Sequence, residues 1–142
     1  MTSSDGDAEN LSGVILLDTA SPADEAFDAS FLERNGHPVV VCRGPAAGTV
    51  CPSLRGEGCD LFGKAHGVVF QLDLDVAQHR AILGRYRHLR PDLPIRLVMR
   101  PDQVDRYRDL LAGFEVLVRE PSAADLDGFA AEVEASDRMA ER

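Results

Sequence analysis

Residues His66–Asp73 read HGVVFQLD. A short apolar run without polar alternation is the pattern of a parallel strand covered on both faces. The same pattern recurs along the chain. Gly13–Asp18 (GVILLD) and Pro38–Cys42 (PVVVC) precede it, and Ile95–Met99 (IRLVM) and Glu115–Arg119 (EVLVR) follow. Most of the intervals between these runs carry helix signals. Ser21 offers an N-cap, with Pro22 at the first helical position and Asp24 three residues after the cap. Phe27 and Phe31 share a face at i, i+4 spacing, and Asn35-Gly36 supplies a left-handed stop.

The same reading extends to the later helices. Asp75 is placed as a helix cap with Gln78 as its capping-box partner, and Val76, Leu83, Tyr86 and Leu89 form a core stripe ended by Pro91 and Pro94. Asp102–Ala112 reads as a helix with Val104, Tyr107, Leu110 and Leu111 inward, closed by Gly113. Ser122 and Asp125 form another capping box, followed by Leu126, Phe129 and Val133 on an inward face.

Five strands joined by helical crossovers predict a three-layer α/β/α sandwich with a five-stranded parallel sheet of order 2-1-3-4-5, the flavodoxin-like arrangement. A chain of 142 residues is one domain by length. Residues 1–11 are rich in Ser, Asp and Gly and are expected to be a disordered tail, leaving a single domain over 12–142. Residues 43–65 break the pattern. A helical crossover belongs there, yet the stretch is Gly- and Pro-rich, with helical periodicity for about one turn.

Net charge of −9 opposes binding to a phosphate backbone, which needs a basic surface, so no nucleic-acid partner is expected. Arg80, Arg85, Arg87, Arg90, Arg96 and Arg100, with His79 and His88, nevertheless form a local basic stretch. It reads either as arginine stems laid over apolar neighbours or as a docking patch for an acidic partner segment. No apolar run is long enough for a membrane span, and MTSSDGDAEN lacks the basic-then-apolar order of a signal peptide. A cytoplasmic protein is expected, and an odd count of three cysteines fits a reducing compartment.

Ligands on such sheets bind at the carboxyl ends of the strands. The residues there are Asp18 and Thr19, Cys42 and Arg43, Gln71 to Asp75, Met99 and Arg100, and Glu120. Asp18, Asp73, Asp75 and Glu120 could converge on Mg²⁺ or Ca²⁺; otherwise Asp75 is a cap and Glu120 a surface residue near a helix N-terminus. Cys42, Cys51 and Cys59 are separated by eight and seven residues, which matches no zinc pattern. They read as three reduced thiols, as a redox pair of Cys51 with Cys59, or as a metal site completed by Asp60 or water. His37 and His66 precede strands and so fall at the opposite edge. Neither a dinucleotide or P-loop glycine motif nor a G-x-S-x-G elbow is present.

With these strand endings the chain resembles the receiver domain of two-component response regulators. The resemblance covers nearly everything from residue 13 and lies in topology and strand ends. It implies acids after strand 1 that hold a divalent cation, an Asp ending strand 3 that accepts a phosphoryl group, a hydroxyl after strand 4 and a Lys after strand 5. Asp18 matches one of the acids, and Thr19 stands at the second. The acceptor, hydroxyl and Lys positions read Gln71, Met99 and Glu120, while Glu120-Pro121 sits where the family has Lys-Pro. A register shift of two residues would put Asp73 in the acceptor slot. The resemblance implies a non-catalytic pseudo-receiver, a regulatory module without a cofactor. Its partner is then another protein or a second copy, met through 102–113, 115–119 and 122–138, with Val104, Tyr107, Arg108, Leu111, Val118 and Arg119 as the candidate face. A thiol sensor or metal-binding module built on the three cysteines is the alternative.

Overall fold

The computed structural model describes residues 13–20, 22–34, 36–44 and 60–140. Five strands, β1 (Ile15–Asp18), β2 (Val39–Cys42), β3 (Gly67–Phe70), β4 (Ile95–Val98) and β5 (Glu115–Leu117), form one parallel sheet in the order β2-β1-β3-β4-β5. This is the order expected from the apolar runs. All residues of β1 and β3 are buried, because each lies between two other strands and beneath helices on both sides.

On one face α1 (Pro22–Arg34) and α6 (Ala123–Ala140) pack together over Ile15, Leu17 and Val69. Leu32, Leu126, Phe129 and Val133 are their inward side chains. On the other face α2 (Asp60–Lys64), α3 (Ala77–Leu89), α4 (Pro101–Arg106) and α5 (Arg108–Leu111) cover Leu16, Val68, Phe70 and Leu97. Burying each of these aliphatic side chains stabilises the fold by on the order of 2 kcal/mol.

Several local expectations hold. Ser122 and Asp125 form a reciprocal capping box, with Asp125 N–H donating to Ser122 Oγ (3.2 Å) and Ser122 N–H donating to Asp125 Oδ2 (2.9 Å). Gly36 and Gly113 have positive φ at the ends of α1 and α5. Phe27 and Phe31 stack at 6.4 Å. The 43–65 segment, where about one helical turn was expected, holds the short α2. Ser21, Asn35, the tail over 1–11 and residues 45–59 lie outside the described residues.

Three expectations are corrected. Asp75 does not cap α3: the N-cap is Val76, without a side-chain cap bond. The Asp75 carboxylate is drawn away by Arg100, Arg106 and Tyr107. Val76 and Leu89 are exposed at the two ends of α3, and its buried residues are Ile82, Leu83 and Tyr86. The helix expected over 102–112 is two short helices broken at Tyr107 (φ −116°, ψ 30°). The Tyr107 ring lies beside the Arg80 and Arg106 guanidinium groups, and its hydroxyl donates to Asp75.

The basic stretch is used in packing. Arg87 lies 4.2 Å from the Phe114 ring centre, and Arg80, Arg90 and Arg96 lie 5.2–5.4 Å from the centres of Tyr107, Phe62 and Phe129. Arg80, Arg87 and Arg90 also donate to the backbone carbonyls of Leu74, Ala112 and Phe62.

Gly67 opens β3 directly beneath α6. A Cβ there would meet Val133 Cγ2 at 2.5 Å and Phe129 Cζ at 3.1 Å. Gly67→Ala is therefore expected to push α6 off the sheet and cost about 1–3 kcal/mol. The check is the urea unfolding midpoint at constant m-value; an unchanged midpoint would mean α6 does not press on β3.

Candidate functional site at the carboxyl edge of the sheet

The strand ends meet in register. Asp18 lies level with Cys42 on one side and Phe70 on the other. Thr19 N–H donates to the Cys42 carbonyl (3.0 Å), and Gln71 N–H donates to the Asp18 carbonyl (2.7 Å). Gln71 is the first residue past β3, and Asp73 lies two residues further out. Met99 follows β4, its N–H donating to the Leu117 carbonyl (2.9 Å).

The inner layer is sealed. Asp18 and Thr19 are fully buried, with 0% and 1% exposure. The Tyr86 hydroxyl donates to Asp18 Oδ2 (2.9 Å), while Oδ1 is buried without a hydrogen-bond partner among the described residues. Burial pushes the Asp18 carboxyl up to about 7, against the opposing pull of the Tyr86 hydroxyl and the Cys42 thiol. Tyr86 stacks on Phe62 (4.1 Å) and meets the edge of Phe70 (6.2 Å), so its ring is fixed beneath the sheet edge. On the opposite face, the Gln71 side-chain amide donates to Asp28 Oδ2 of α1. Asp28 is itself buried.

The outer layer is a cavity of about 360 Å³ lined by Gln71, Asp73, Met99, Arg100, Gln103 and Glu120, among others. Of the six pocket positions singled out from sequence, it gathers Gln71, Asp73, Met99 and Glu120 and leaves Asp18 and Thr19 beneath them. Asp73 in this lining and Asp75 beside it are engaged. Asp73 Oδ1 accepts from Gln103 Nε2 (2.7 Å) and from the Asp75 N–H (2.9 Å). Asp75 accepts from the Tyr107 hydroxyl (2.6 Å), Arg106 (2.6 Å) and Arg100 (2.9 Å). The Tyr107 hydroxyl and the Arg106 guanidinium hold its carboxyl well below the usual range.

This donor set does not fit a hard divalent cation, which takes several carboxylate or carbonyl oxygens around one open point. Asp18 is enclosed and bonded to a phenol, Thr19 is a buried hydroxyl residue, and Asp73 and Asp75 face Gln103 and two guanidinium groups. Among the described residues no three His, Cys, Asp or Glu side chains group closely enough to hold a metal. The convergence of Asp18, Asp73, Asp75 and Glu120 considered from sequence is therefore not formed.

Cys42 is half-buried, with its thiol acting on Asp18, and Cys51 and Cys59 lie outside the described residues. His37 and His66 sit at the opposite edge, as expected, against Glu134 (3.1 Å) and Asp137 (2.6 Å) of α6. The candidate interaction face is only partly a surface. Leu111 belongs to the core, and Val104 and Tyr107 pack half-buried against it, because α4 and α5 present their apolar sides to the sheet. Arg108, Val118 and Arg119 are exposed. Sequence reading missed Asp28, Gln103 and Arg106. For Asp28 the signal was its i, i+4 spacing from Leu32, which places both on the inward stripe of α1.

A carboxyl that ionises near 3.8 when unfolded and near 7 when folded binds a proton on folding. Its contribution is constant below the lower value, becomes less favourable as pH rises through this interval, and levels off above it. The whole effect is at most about 4 kcal/mol. Asp18→Asn keeps an acceptor for Tyr86 and cannot ionise. It is expected to flatten this slope and to be more stable than wild type above pH 7, measured by urea unfolding across the interval. Identical pH slopes would mean that Asp18 ionises in its ordinary range.

No protein-family model matches the sequence, and neither does any curated protein. Solved structures do resemble it. A response regulator receiver domain protein from Clostridium thermocellum superposes with a TM-score of 0.67 at 16% identity, over 89% of this chain and 97% of that one. A CheY-like receiver domain protein from Methanospirillum hungatei gives 0.61 at 15% identity, over 89% and 97%. A putative pilus assembly-related protein from Burkholderia pseudomallei gives 0.64 at 22% identity, over 88% and 92%. With the strand order and the ends of β1, β3, β4 and β5 in place, these likenesses show that the chain has the fold of response-regulator receiver domains.

Proposed function

We propose that this chain is a regulatory, protein-interaction module that uses a receiver fold without phosphoryl transfer. The observation that carries the reading is Gln71. Its amide occupies the first position past β3 and is tied to the buried Asp28. An amide is no phosphoryl acceptor, because its nitrogen and carbonyl lack the nucleophilicity of a carboxylate oxygen. Met99 offers no hydroxyl, and Glu120 brings negative charge where a transferred phosphoryl group needs a cation. Asp73, the next carboxylate along, is already an acceptor for Gln103.

Such a module works by presenting a surface, with no bound cofactor. Its partner is a protein or a second copy of the chain, in the cytoplasm. The net charge of −9 counts against a nucleic-acid partner. No helix among the described residues is long and apolar enough to cross a membrane.

The test is incubation with acetyl phosphate and Mg²⁺, read by intact mass and by thermal melting. The expected result is an unmodified mass and a melting temperature insensitive to Mg²⁺. A phosphoryl adduct on any carboxylate, Asp73 included, overturns the reading.

A further inference from the structure

We propose that His37 is a proton-dependent clamp on the C-terminal half of α6: its imidazolium ties Glu134 of that helix to the amino edge of the sheet, and loss of the ring proton releases it. The clamp lies at the edge opposite the candidate site, and it stands whether or not the carboxyl edge accepts a phosphoryl group.

Two histidines approach α6 from the amino edge. His37 lies two residues before β2 and His66 immediately before β3, on either side of β1. His66 N–H donates to the Val14 carbonyl (2.7 Å), which holds it beside β1. The His37 ring lies against Gly13. A Cβ at Gly13, whose φ is +84°, would sit 3.1 Å from His37 Nδ1, so the glycine lets the ring reach the backbone. Both rings meet acids of α6. His37 Nε2 is 3.1 Å from Glu134 Oε1, and His66 Nδ1 is 2.6 Å from Asp137 Oδ1. Residues 134 and 137 are spaced i, i+3 and share one face of the helix. One turn earlier Glu132 meets Arg96 of β4 (2.7 Å). This half of α6 is thus attached by the buried Val133 and by three acids, two of which depend on histidine.

The two histidines differ in what their rings must donate. His66 presents Nδ1 alone to its acid, and a neutral imidazole with the proton on Nδ1 still makes that bond. His37 presents both nitrogens. Nδ1 donates to the Gly13 carbonyl (3.2 Å), and Nε2 faces the Glu134 carboxylate. A carbonyl and a carboxylate only accept, so both ring nitrogens carry protons, and the imidazolium alone has two. Burial decides which contact fails when one proton leaves. The His37 ring is 4% exposed and Gly13 is buried, whereas the Glu134 side chain is 52% exposed. A buried carbonyl left without a donor is costly, while a half-exposed carboxylate is satisfied by water. The neutral ring therefore keeps Gly13, and Glu134 turns outward. Nothing else around the ring takes over the role of Glu134. Glu33 and Arg34, at the end of α1, are exposed; Val39, which opens β2, is apolar; and Asp137 is held by His66.

The experiment is amide hydrogen exchange on the full chain at the two ends of the histidine range, about pH 5.5 and 8, with rates corrected for the intrinsic effect of pH. The readout is protection over 131–137 relative to 123–129 in the same helix, so a global change in stability cancels. Wild type is expected to lose about tenfold of this relative protection at the higher pH, the scale of one charged hydrogen bond. Nitrogen chemical shifts of the His37 ring are expected to report protons on both nitrogens at the lower pH and on Nδ1 alone at the higher. Glu134→Gln is the main variant, because a half-exposed site tolerates it. Its neutral amide offers either a donor or an acceptor to Nε2, so the ratio is expected to become independent of pH. His66→Gln is expected to lower relative protection at both pH values and to keep the dependence. Circular dichroism checks that each variant folds. A wild-type ratio equal at the two pH values overturns the clamp, as does a pH dependence that survives Glu134→Gln. A dependence lost in His66→Gln assigns the switch to the wrong histidine and overturns it as well.

Discussion

The central position of β1 constrains most of what surrounds it. Ile15–Asp18 is flanked by β2 and β3 and roofed by helices on both faces, so its last residue cannot reach water. That residue is an aspartate. An isolated carboxylate in such a place is costly enough that the group either finds partners or keeps its proton. Asp18 does both in part, accepting from Tyr86 and holding its proton to about 7. Tyr86 in turn must sit flat beneath the edge, which fixes the stacking of Phe62 on it and hence the placement of α2. An acid at the carboxyl edge of the sheet thus becomes part of the core.

Sealing that edge reorganises the charges above it. Arg100, at the N-terminus of α4, and Gln103 and Arg106 within that helix supply the donors, and the Asp73 and Asp75 carboxylates turn to these. Tyr107, at the break between α4 and α5, belongs to the same arrangement through its bond to Asp75. Exposed ion pairs are individually weak. Their weight here lies in geometry: they join the loop after β3 to the start of α4, beside the cavity lined by Gln71, Asp73, Met99, Gln103 and Glu120.

The fold was legible because apolar runs and crossover lengths are local signals, and the register of a sheet buried on both faces leaves little freedom. Strand order, the Ser122–Asp125 box and the inward face of α6 were all readable in this way. The site was legible only as a set of substitutions. Gln71 was visible as the residue ending the third strand, but its bond to Asp28 joins residues 43 positions apart. The same holds for Asp75. Its short-range fit as a cap was sound chemistry, and it lost to three donors arriving from 25 to 32 residues further along the chain. Leu111 was read as inward from its helical spacing, which its burial bears out; its place on the candidate face came from the resemblance alone.

The arginines show how a basic stretch can carry little free charge. Arg80, Arg87, Arg90 and Arg96 spend their guanidinium groups on ring faces, backbone carbonyls and Glu132.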